Sequence, residues 1–233
     1  MIPFILLLIF ALNKFNYIDC VKTKQFMQCC SPFEVPIYTL NYFDMGGQAE
    51  FLRFILAEAG QPYIDNRIPI ANWPALRPIF PFEQLPVLEI QQGEYFLVLA
   101  HPLAISRYLA QSFDLNGRNP TETALIDMYG SQMGELHNNI SNHASSNLTG
   151  EFIQTWNKNL GFFERRLEKN RYGYLVGSKL SWADLYLSQL TEFLKDEKTR
   201  ILERYPRVKQ LDLKVRSSPR ISEWIKKRTV TEL

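Results

Sequence analysis

A chain of 233 residues, of which 46% are hydrophobic and 21% charged, is long enough for one large domain or two smaller ones with buried cores. Its net charge of +2 and the lack of a long basic run argue against a nucleic-acid-binding role. The densest basic cluster is KKR at residues 226–228, which is typical of a solvated helix end. We find no internal repeat and no low-complexity tract.

The N-terminal segment differs from the rest of the chain. Residues 4–12, FILLLIFAL, form an apolar run that is too short to cross a bilayer as a helix, which needs about 20 apolar residues. The run fits the hydrophobic region of a secretory signal peptide, although no basic residue precedes it and no clear small-x-small cleavage site follows it. An uncleaved anchor or a leader without a function is the alternative. We therefore predict a signal peptide and leader over residues 1–34 and a secreted protein, with a cytoplasmic protein as the alternative.

Cysteine usage supports an extracellular location. All three cysteines (Cys20, Cys29 and Cys30) lie in the leader, so residues 35–233 contain no thiol. A thiol-free folded region suits an oxidising compartment, and two glycosylation sequons, at Asn139 and Asn147, also suit secretion. The same fact means that any thiol chemistry in this region must use a thiol that a ligand brings.

The first folded segment alternates between strands and helices. The stretch IYTLNYF predicts a strand over residues 37–42, which turns through glycines into a helix over 49–59, with Gly60 at the position of a left-handed C-cap. The next predicted elements are a strand, a hairpin of two strands and a helix, over residues 63–67, 87–90, 95–98 and 101–110. This order predicts a small α/β domain over residues 35–111, and the polar stretch 112–120 indicates a linker.

The glycine turn after the first strand raises the question of a bound cofactor. A strand that enters a helix through glycines can build an anion site, because the free N–H groups of the helix attract negative charge. The turn matches neither GxGxxG nor GxxxxGK[ST], so a nucleotide site is not predicted.

From residue 121 onwards the pattern is helical only, with helices expected over 121–139, 150–169, 181–194, 207–216 and 219–226. In SWADLYL, Ser181 can cap the third of these helices while Asp184 reaches back to its N–H, which is a capping box with a structural role. His137 and His143 lack further ligands at metal-site spacing, so no metal is predicted.

Several of these segments, in this order, resemble a glutathione transferase. They are the strand-end tyrosine in YTLNYF, the tryptophan in NWPALR, PFEQLPVLE, AISRYLA and, in the helical part, GYLVGSKLSWADLYL. YTLNYF and NWPALR are similar to the sigma class and its nematode relatives. The resemblance covers residues 35–228. It implies a thioredoxin-like N-terminal domain, an all-helical C-terminal domain over 121–233, a homodimer, and glutathione as the co-substrate.

The resemblance gives Tyr42 a catalytic role. A phenol that donates its O–H to the glutathione sulfur favours the thiolate, and lowering the thiol pKa by about two units needs only ~2.7 kcal/mol. Tyr38 lies too far down the strand and matches a non-catalytic position. Without the motif, Tyr42 would be an ordinary core tyrosine.

Five further residues would bind glutathione if the resemblance holds. Trp73 and Arg77 match positions at the glycyl end of the ligand, where Arg77 would pair with the carboxylate. Gln84, Leu85 and Pro86 match the turn before the third strand, with Pro86 in the cis form and the Leu85 backbone paired with the cysteinyl amide. On their own, the tryptophan would indicate hydrophobic packing and the arginine a surface charge.

Four departures from the family pattern weaken the predicted site. Gln48 replaces an arginine that supports the tyrosine, and Glu83 replaces a glycine. The Gln/Glu-Ser pair that holds the γ-glutamyl group aligns with His101 and Pro102, and proline offers neither an N–H nor a hydroxyl. In the family, the dimer partner often contributes an acidic residue to the site. The matching position in this chain is Gly130 or Ser131, where there is no charge. Each lost bond to a charged group costs roughly 1.5–3 kcal/mol, although His101 could partly replace the serine.

Two functions remain open at this point. The first is a glutathione transferase that conjugates hydrophobic electrophiles, reduces lipid peroxides or isomerises prostaglandins, with Met45 and Tyr129 lining the electrophile site. The second is a non-catalytic structural or ligand-binding relative. We favour the enzyme because the residues on the sulfur side of the site are retained.

Overall fold

The computed structural model describes residues 35–142 and 150–229. The predicted signal peptide and leader, its cysteines, His143 and the sequon at Asn147 lie outside the described residues. Within the described ranges, none of the helices combines the length and the apolar character needed to span a membrane.

A four-stranded mixed sheet forms the N-terminal part of the fold. The order is β2-β1-β3-β4, with β1 and β2 parallel and the other two pairs antiparallel. Parallel neighbours need a crossover connection, which the first long helix, α1, supplies. The strands are β1 (Ile37–Phe43), β2 (Tyr63–Ile68), β3 (Val87–Gln92) and β4 (Tyr95–Ala100), and the helices are α1 (Glu50–Ala59), α2 (Trp73–Leu76) and α3 (Pro102–Ser112).

The alternation of side chains along β1 determines what Tyr42 faces. Tyr38, Leu40 and Tyr42 are two residues apart, and all three belong to the large core that also contains the apolar side chains of α1. The opposite face of the sheet carries a smaller cluster around Ile68, Phe80 and Val87. Tyr42 is therefore the last residue of β1 on the face that α1 covers.

The C-terminal part is all helical, and α6 is its centre. All nine residues of α6 are buried, because the other helices pack around it. α4 approaches α6 closely at Gly130, where a Cβ would lie only 1.9 Å from Cη2 of Trp182. The helices are α4 (Pro120–Asn142), α5 (Gly150–Glu168), α6 (Trp182–Leu190), α7 (Lys198–Leu202), α8 (Pro206–Arg216) and α9 (Pro219–Lys227).

The predicted capping box at the start of α6 is confirmed. The Ser181 N–H and hydroxyl donate to the Asp184 carboxylate at 2.9 and 2.7 Å, and the Leu175 N–H donates to its other oxygen at 2.8 Å. Burial raises the pKa of Asp184 to about 6. The carboxylate thus ties the N-terminus of α6 to the preceding loop, which is the structural role expected.

The N-terminal and C-terminal parts share one hydrophobic core and are also joined by ion pairs. The Phe51 ring of α1 stacks on the Tyr186 ring of α6 with the ring centroids 3.8 Å apart. Arg228, directly after α9, donates to Glu50 at 2.7 Å and to Glu192 at 2.7 Å, with only 20% of its side chain exposed. The expectation of a solvated basic cluster at 226–228 was wrong for Arg228, because its ion pairs with Glu50 and Glu192 hold it partly buried.

The predicted fold class, a thioredoxin-like domain followed by a helical domain, is confirmed, and the main deviation lies after α6. The helix expected over 181–194 ends at Leu190 and continues as a 3₁₀ turn, Thr191–Glu197, in which Lys195 has φ +48°. The Thr191 hydroxyl donates to the Ser188 carbonyl at 2.7 Å, a local bond that competes with regular helix. The short helix α7 follows and was not predicted.

Candidate functional site

The turn after β1 brings a helix start up against Tyr42. Gly47 has φ +43°, and a Cβ at this position would lie 2.6 Å from the Tyr42 hydroxyl oxygen. A side chain here would be strained by the backbone and would also collide with the phenol. The glycine is therefore a steric requirement for the position of Tyr42.

Tyr42 is nearly buried, with 7% of its surface exposed. Its hydroxyl oxygen accepts a hydrogen bond from the Gln48 N–H at 3.1 Å, and no acceptor in the described chain takes the phenol proton. Burial raises the pKa of Tyr42, while the Gln48 N–H and the charge of Arg53 act against that rise without cancelling it. The phenol is thus protonated at neutral pH and can donate to a ligand.

Arg53 of α1 holds this turn in place through hydrogen bonds. The sequence analysis did not identify this residue. Its fully buried guanidinium donates to the Met45 carbonyl, to Glu50 and to Asp65, each at 3.0 Å. These three bonds fix the turn that carries Gln48 under the Tyr42 hydroxyl. A charged residue in the middle of the apolar helix EFLRFILAEA is the signal that could have found it, because buried charges require partners.

Gln48 supports Tyr42 through its backbone rather than its side chain. The side-chain amide, which stands where the family has an arginine, donates instead to the Asn138 side chain of α4 at 2.9 Å. The substitution therefore links the turn to the helical domain, and the tyrosine keeps a donor from the main chain.

Trp73 and Arg77 lie on and after α2, beside the end of β1. The Trp73 ring is 5.3 Å from Phe43, the neighbour of Tyr42, and 5.9 Å from Phe80. Arg77 is exposed, and its Nε lies 3.0 Å from a carboxylate oxygen of Glu83. The structure thus brings Trp73 towards the Tyr42 end of the sheet, and it gives Arg77 an internal acidic partner.

The turn Gln84–Leu85–Pro86 lies level with the end of β1. The Leu85–Pro86 peptide bond is cis, as predicted. Because the antiparallel register pairs Asn41 with Val87, residues 85–86 stand beside residues 42–43. The Leu85 backbone is therefore placed next to the region that the Tyr42 phenol faces.

The corner formed by residues 82–83 and His101 has an unusual backbone. Phe82, Glu83 and His101 have φ values of +55°, +51° and +69°. The His101 and Phe82 rings lie 5.2 Å apart, and Pro102 opens α3 without an N–H. Such residues cost of order 1–3 kcal/mol each and cluster at ligand clamps and active sites.

Met45, in the turn after β1, and Tyr129, on α4, are the residues predicted to line the electrophile site. Met45 and Tyr129 are both partly buried against the main core, and the Tyr129 ring lies 6.4 Å from Phe163 of α5. Neither of the two positions considered for the family's acidic residue carries a charge here: Trp182 leaves no space for a side chain at Gly130, and Ser131 is exposed.

His137 has a structural position. It is fully buried, its Nδ1 lies 3.0 Å from the Tyr186 hydroxyl, and burial lowers its pKa to about 4. Among the described residues, no cluster of three His, Cys, Asp or Glu side chains is suited to hold a metal ion.

Comparison with known proteins identifies the family. The sequence model described as glutathione S-transferase, C-terminal domain, matches residues 133–228. The chain is 37% identical over 205 residues to probable glutathione S-transferase 7 of Caenorhabditis elegans, covering 83% of this chain and 98% of that protein. It is 34% identical over 205 residues to the hematopoietic prostaglandin D synthase of Rattus norvegicus, covering 85% and 100% of the two chains.

A solved structure agrees with these sequence matches. The fold matches monomeric Na-GST-3, a glutathione S-transferase from the hookworm Necator americanus, with a TM-score of 0.75 and 36% identity over 83% of this chain and 98% of that one. The resemblance seen in the sequence is therefore confirmed. The chain belongs to the glutathione transferase family, and it is a transferase enzyme with the two-domain fold of that family.

Proposed function

We propose that the protein activates the thiol of glutathione with Tyr42 and conjugates glutathione, through its sulfur, to hydrophobic electrophiles. The observation that carries this proposal is the Tyr42 hydroxyl, which accepts from the Gln48 N–H at 3.1 Å and keeps its own proton free for a ligand. A donor fixed in this way stabilises a thiolate more than a thiol, because the hydrogen bond to the charged form is stronger.

The chemistry follows from that preference. The bound thiol loses its proton to water, and the Tyr42 O–H donates to the resulting thiolate. The thiolate attacks an electrophilic carbon, a carbon–sulfur bond forms, and the leaving group departs with its electron pair. Tyr42 stays protonated throughout, since burial raises its pKa. Its contribution is therefore electrostatic, with no proton taken from the substrate.

The remaining predicted residues would position glutathione. Trp73 and Arg77 would hold the glycyl end, Gln84 and the Leu85 backbone the cysteinyl part, and the cis Pro86 the shape of the turn. Met45 and Tyr129 would line the site of the electrophile. The rat relative is named a prostaglandin D synthase, so eicosanoid isomerisation is a candidate reaction for this chain as well. Lipid-peroxide reduction remains a candidate from the sequence alone.

A mainly ligand-binding role, with little glutathione turnover, is the second candidate. It is favoured by the γ-glutamyl corner, where Pro102 has no N–H and neither Gly130 nor Ser131 supplies an acidic side chain. Two or three lost bonds would move glutathione from micromolar towards millimolar affinity.

Calorimetric titration of the purified protein with glutathione separates the two candidates. The enzyme requires sub-millimolar affinity together with glutathione-dependent turnover of a chloronitrobenzene electrophile. Affinity without turnover would leave the binding role, and the absence of both would refute the use of glutathione.

The assembly and location are also proposals. We infer a secreted protein, supported by the apolar N-terminal run and by the sequon residue Asn139, which is exposed near the end of α4. A homodimer is proposed only from the resemblance to the family. Since Na-GST-3 is described as monomeric, sedimentation analysis must establish the oligomeric state. Expression in a secretory host, with the protein recovered from the medium and treated with a glycosidase, tests secretion and glycosylation together.

A further inference from the structure

The cation expected to bind the glycyl end of glutathione already has an acidic partner within the chain. Arg77 Nε lies 3.0 Å from Oε2 of Glu83, and each side chain is a little more than half exposed. Neither residue makes a second ion pair in the part of the chain that the structure describes. The pair as a whole therefore carries no net charge towards an incoming ligand.

The backbone at Glu83 makes this partner unusual. Its φ of +51° is in the left-handed region, and Phe82 before it has φ +55°. A glycine would adopt this conformation without a side-chain clash, whereas a glutamate is strained in it. A charged side chain thus occupies a strained position directly before the turn Gln84–Leu85–Pro86, and it contacts Arg77.

The consequence for a ligand depends on the charge at its end. A carboxylate that approaches Arg77 is attracted by the guanidinium and repelled by Glu83, so much of the attraction is lost. An ester or amide at the same place carries no charge, so Glu83 does not weaken its binding. An amine there would be attracted by the Glu83 carboxylate. Gln84 next to the pair is neutral and changes none of this.

We propose that Glu83 determines which thiols the site accepts, so that a thiol peptide with an uncharged end at Arg77 binds at least as tightly as glutathione with its free glycyl carboxylate. This inference rests on the proposed function, because it takes Tyr42 as the sulfur end of the site. Glu83 is here a specificity-determining residue and takes no part in the chemistry.

The test is a calorimetric titration with glutathione and with its glycyl ethyl ester. Wild-type protein should bind the two ligands with similar affinity. Glu83→Gln should tighten the binding of glutathione about two- to five-fold and leave the ester unchanged, because an exposed ion pair is worth at most about that factor. The variant keeps a side chain of similar size at residue 83, so the backbone strain is not relieved. Glu94→Gln, an equal change of charge at the exposed β3–β4 turn, should affect neither ligand.

A double-mutant cycle gives a second measurement. Arg77→Gln should weaken glutathione binding only slightly in the wild-type background but should cancel the whole gain in the Glu83→Gln background. If Glu83→Gln changes both ligands equally, or neither, while both still bind, the inference is overturned and the proposed function stands. If neither ligand binds to wild type or to Glu83→Gln, the proposed function fails and the inference fails with it.

Discussion

Replacing Tyr42 by Phe removes one hydroxyl from the proposed site and leaves the aromatic ring in the core. The hydroxyl oxygen accepts from the Gln48 N–H, and the loop keeps its other anchors, the bonds from Arg53 to Met45 and Glu50. We therefore expect a folded variant with nearly unchanged glutathione affinity. The variant should instead lose stabilisation of the bound thiolate, which is the charged group that accepts the hydrogen bond from the Tyr42 hydroxyl.

The size of that loss follows from the kind of bond. A hydrogen bond to a charged group is worth about 1.5–3 kcal/mol, which corresponds to about one to two units in the thiol pKa. At pH values well below the ordinary thiol pKa of about 8.5, the conjugation rate should fall about 10- to 150-fold. Near pH 9 the thiol ionises without help, so the ratio of the two rates should approach one. The wild-type phenol is still protonated there, because burial raises the pKa of Tyr42.

The assay is the pH dependence of kcat/KM from about pH 6 to 9 with a chloronitrobenzene electrophile. Tyr38→Phe is the matched control, because it makes the same change four residues earlier on the same strand, where Tyr38 packs against Phe113. The control should keep the wild-type profile. A Tyr42→Phe rate equal to wild type across this range, or reduced by one constant factor at every pH, would refute the thiolate argument.

Three further predictions concern the corner at α3 and the core. Changing residues 101–102 from His-Pro to Gln-Ser should lower the glutathione KM about ten-fold or more, because a hydroxyl and an N–H return at the start of a helix. If the double change leaves KM constant while His101→Ala raises KM, then His101 already makes the contacts of the family's serine. His137 has a folded pKa of about 4 against an ordinary value near 6.5, so it binds fewer protons folded than unfolded. The free energy of unfolding should therefore fall by about 2 kcal/mol between about pH 7 and 5, and His137→Gln should remove that part of the fall in denaturant titrations. Gly130→Ala should destabilise the protein by about 1–3 kcal/mol, because its Cβ would lie 1.9 Å from a buried tryptophan ring. Gly161→Ala on α5 would meet only an arginine side chain at 3.4 Å, so this control should be neutral or stabilising. Thermal unfolding scans of the two variants check the prediction.

The sequence by itself determined the types and the order of the strands and of the longer helices. The apolar period of two in β1 and the period of helices such as α5 are local patterns, and the capping box at Ser181 involves residues three apart. Gly60 was recognised as a left-handed C-cap for the same reason, and its φ is +67°. Tyr42 was singled out because a motif places it at a strand end, before a glycine turn. All of these features depend on residues that are near one another in the chain.

Only the tertiary structure decided which distant groups meet. Arg228 pairs with Glu50 although 178 positions separate them, so no local pattern could show this partner. The close packing of α4 on α6 excludes a side chain at Gly130. The ion pair between Arg77 and Glu83 joins residues six apart in sequence, next to a corner where residues 82–83 have positive φ values that the sequence did not reveal. Charge pairing and steric exclusion depend on distances in space, and folding sets those distances.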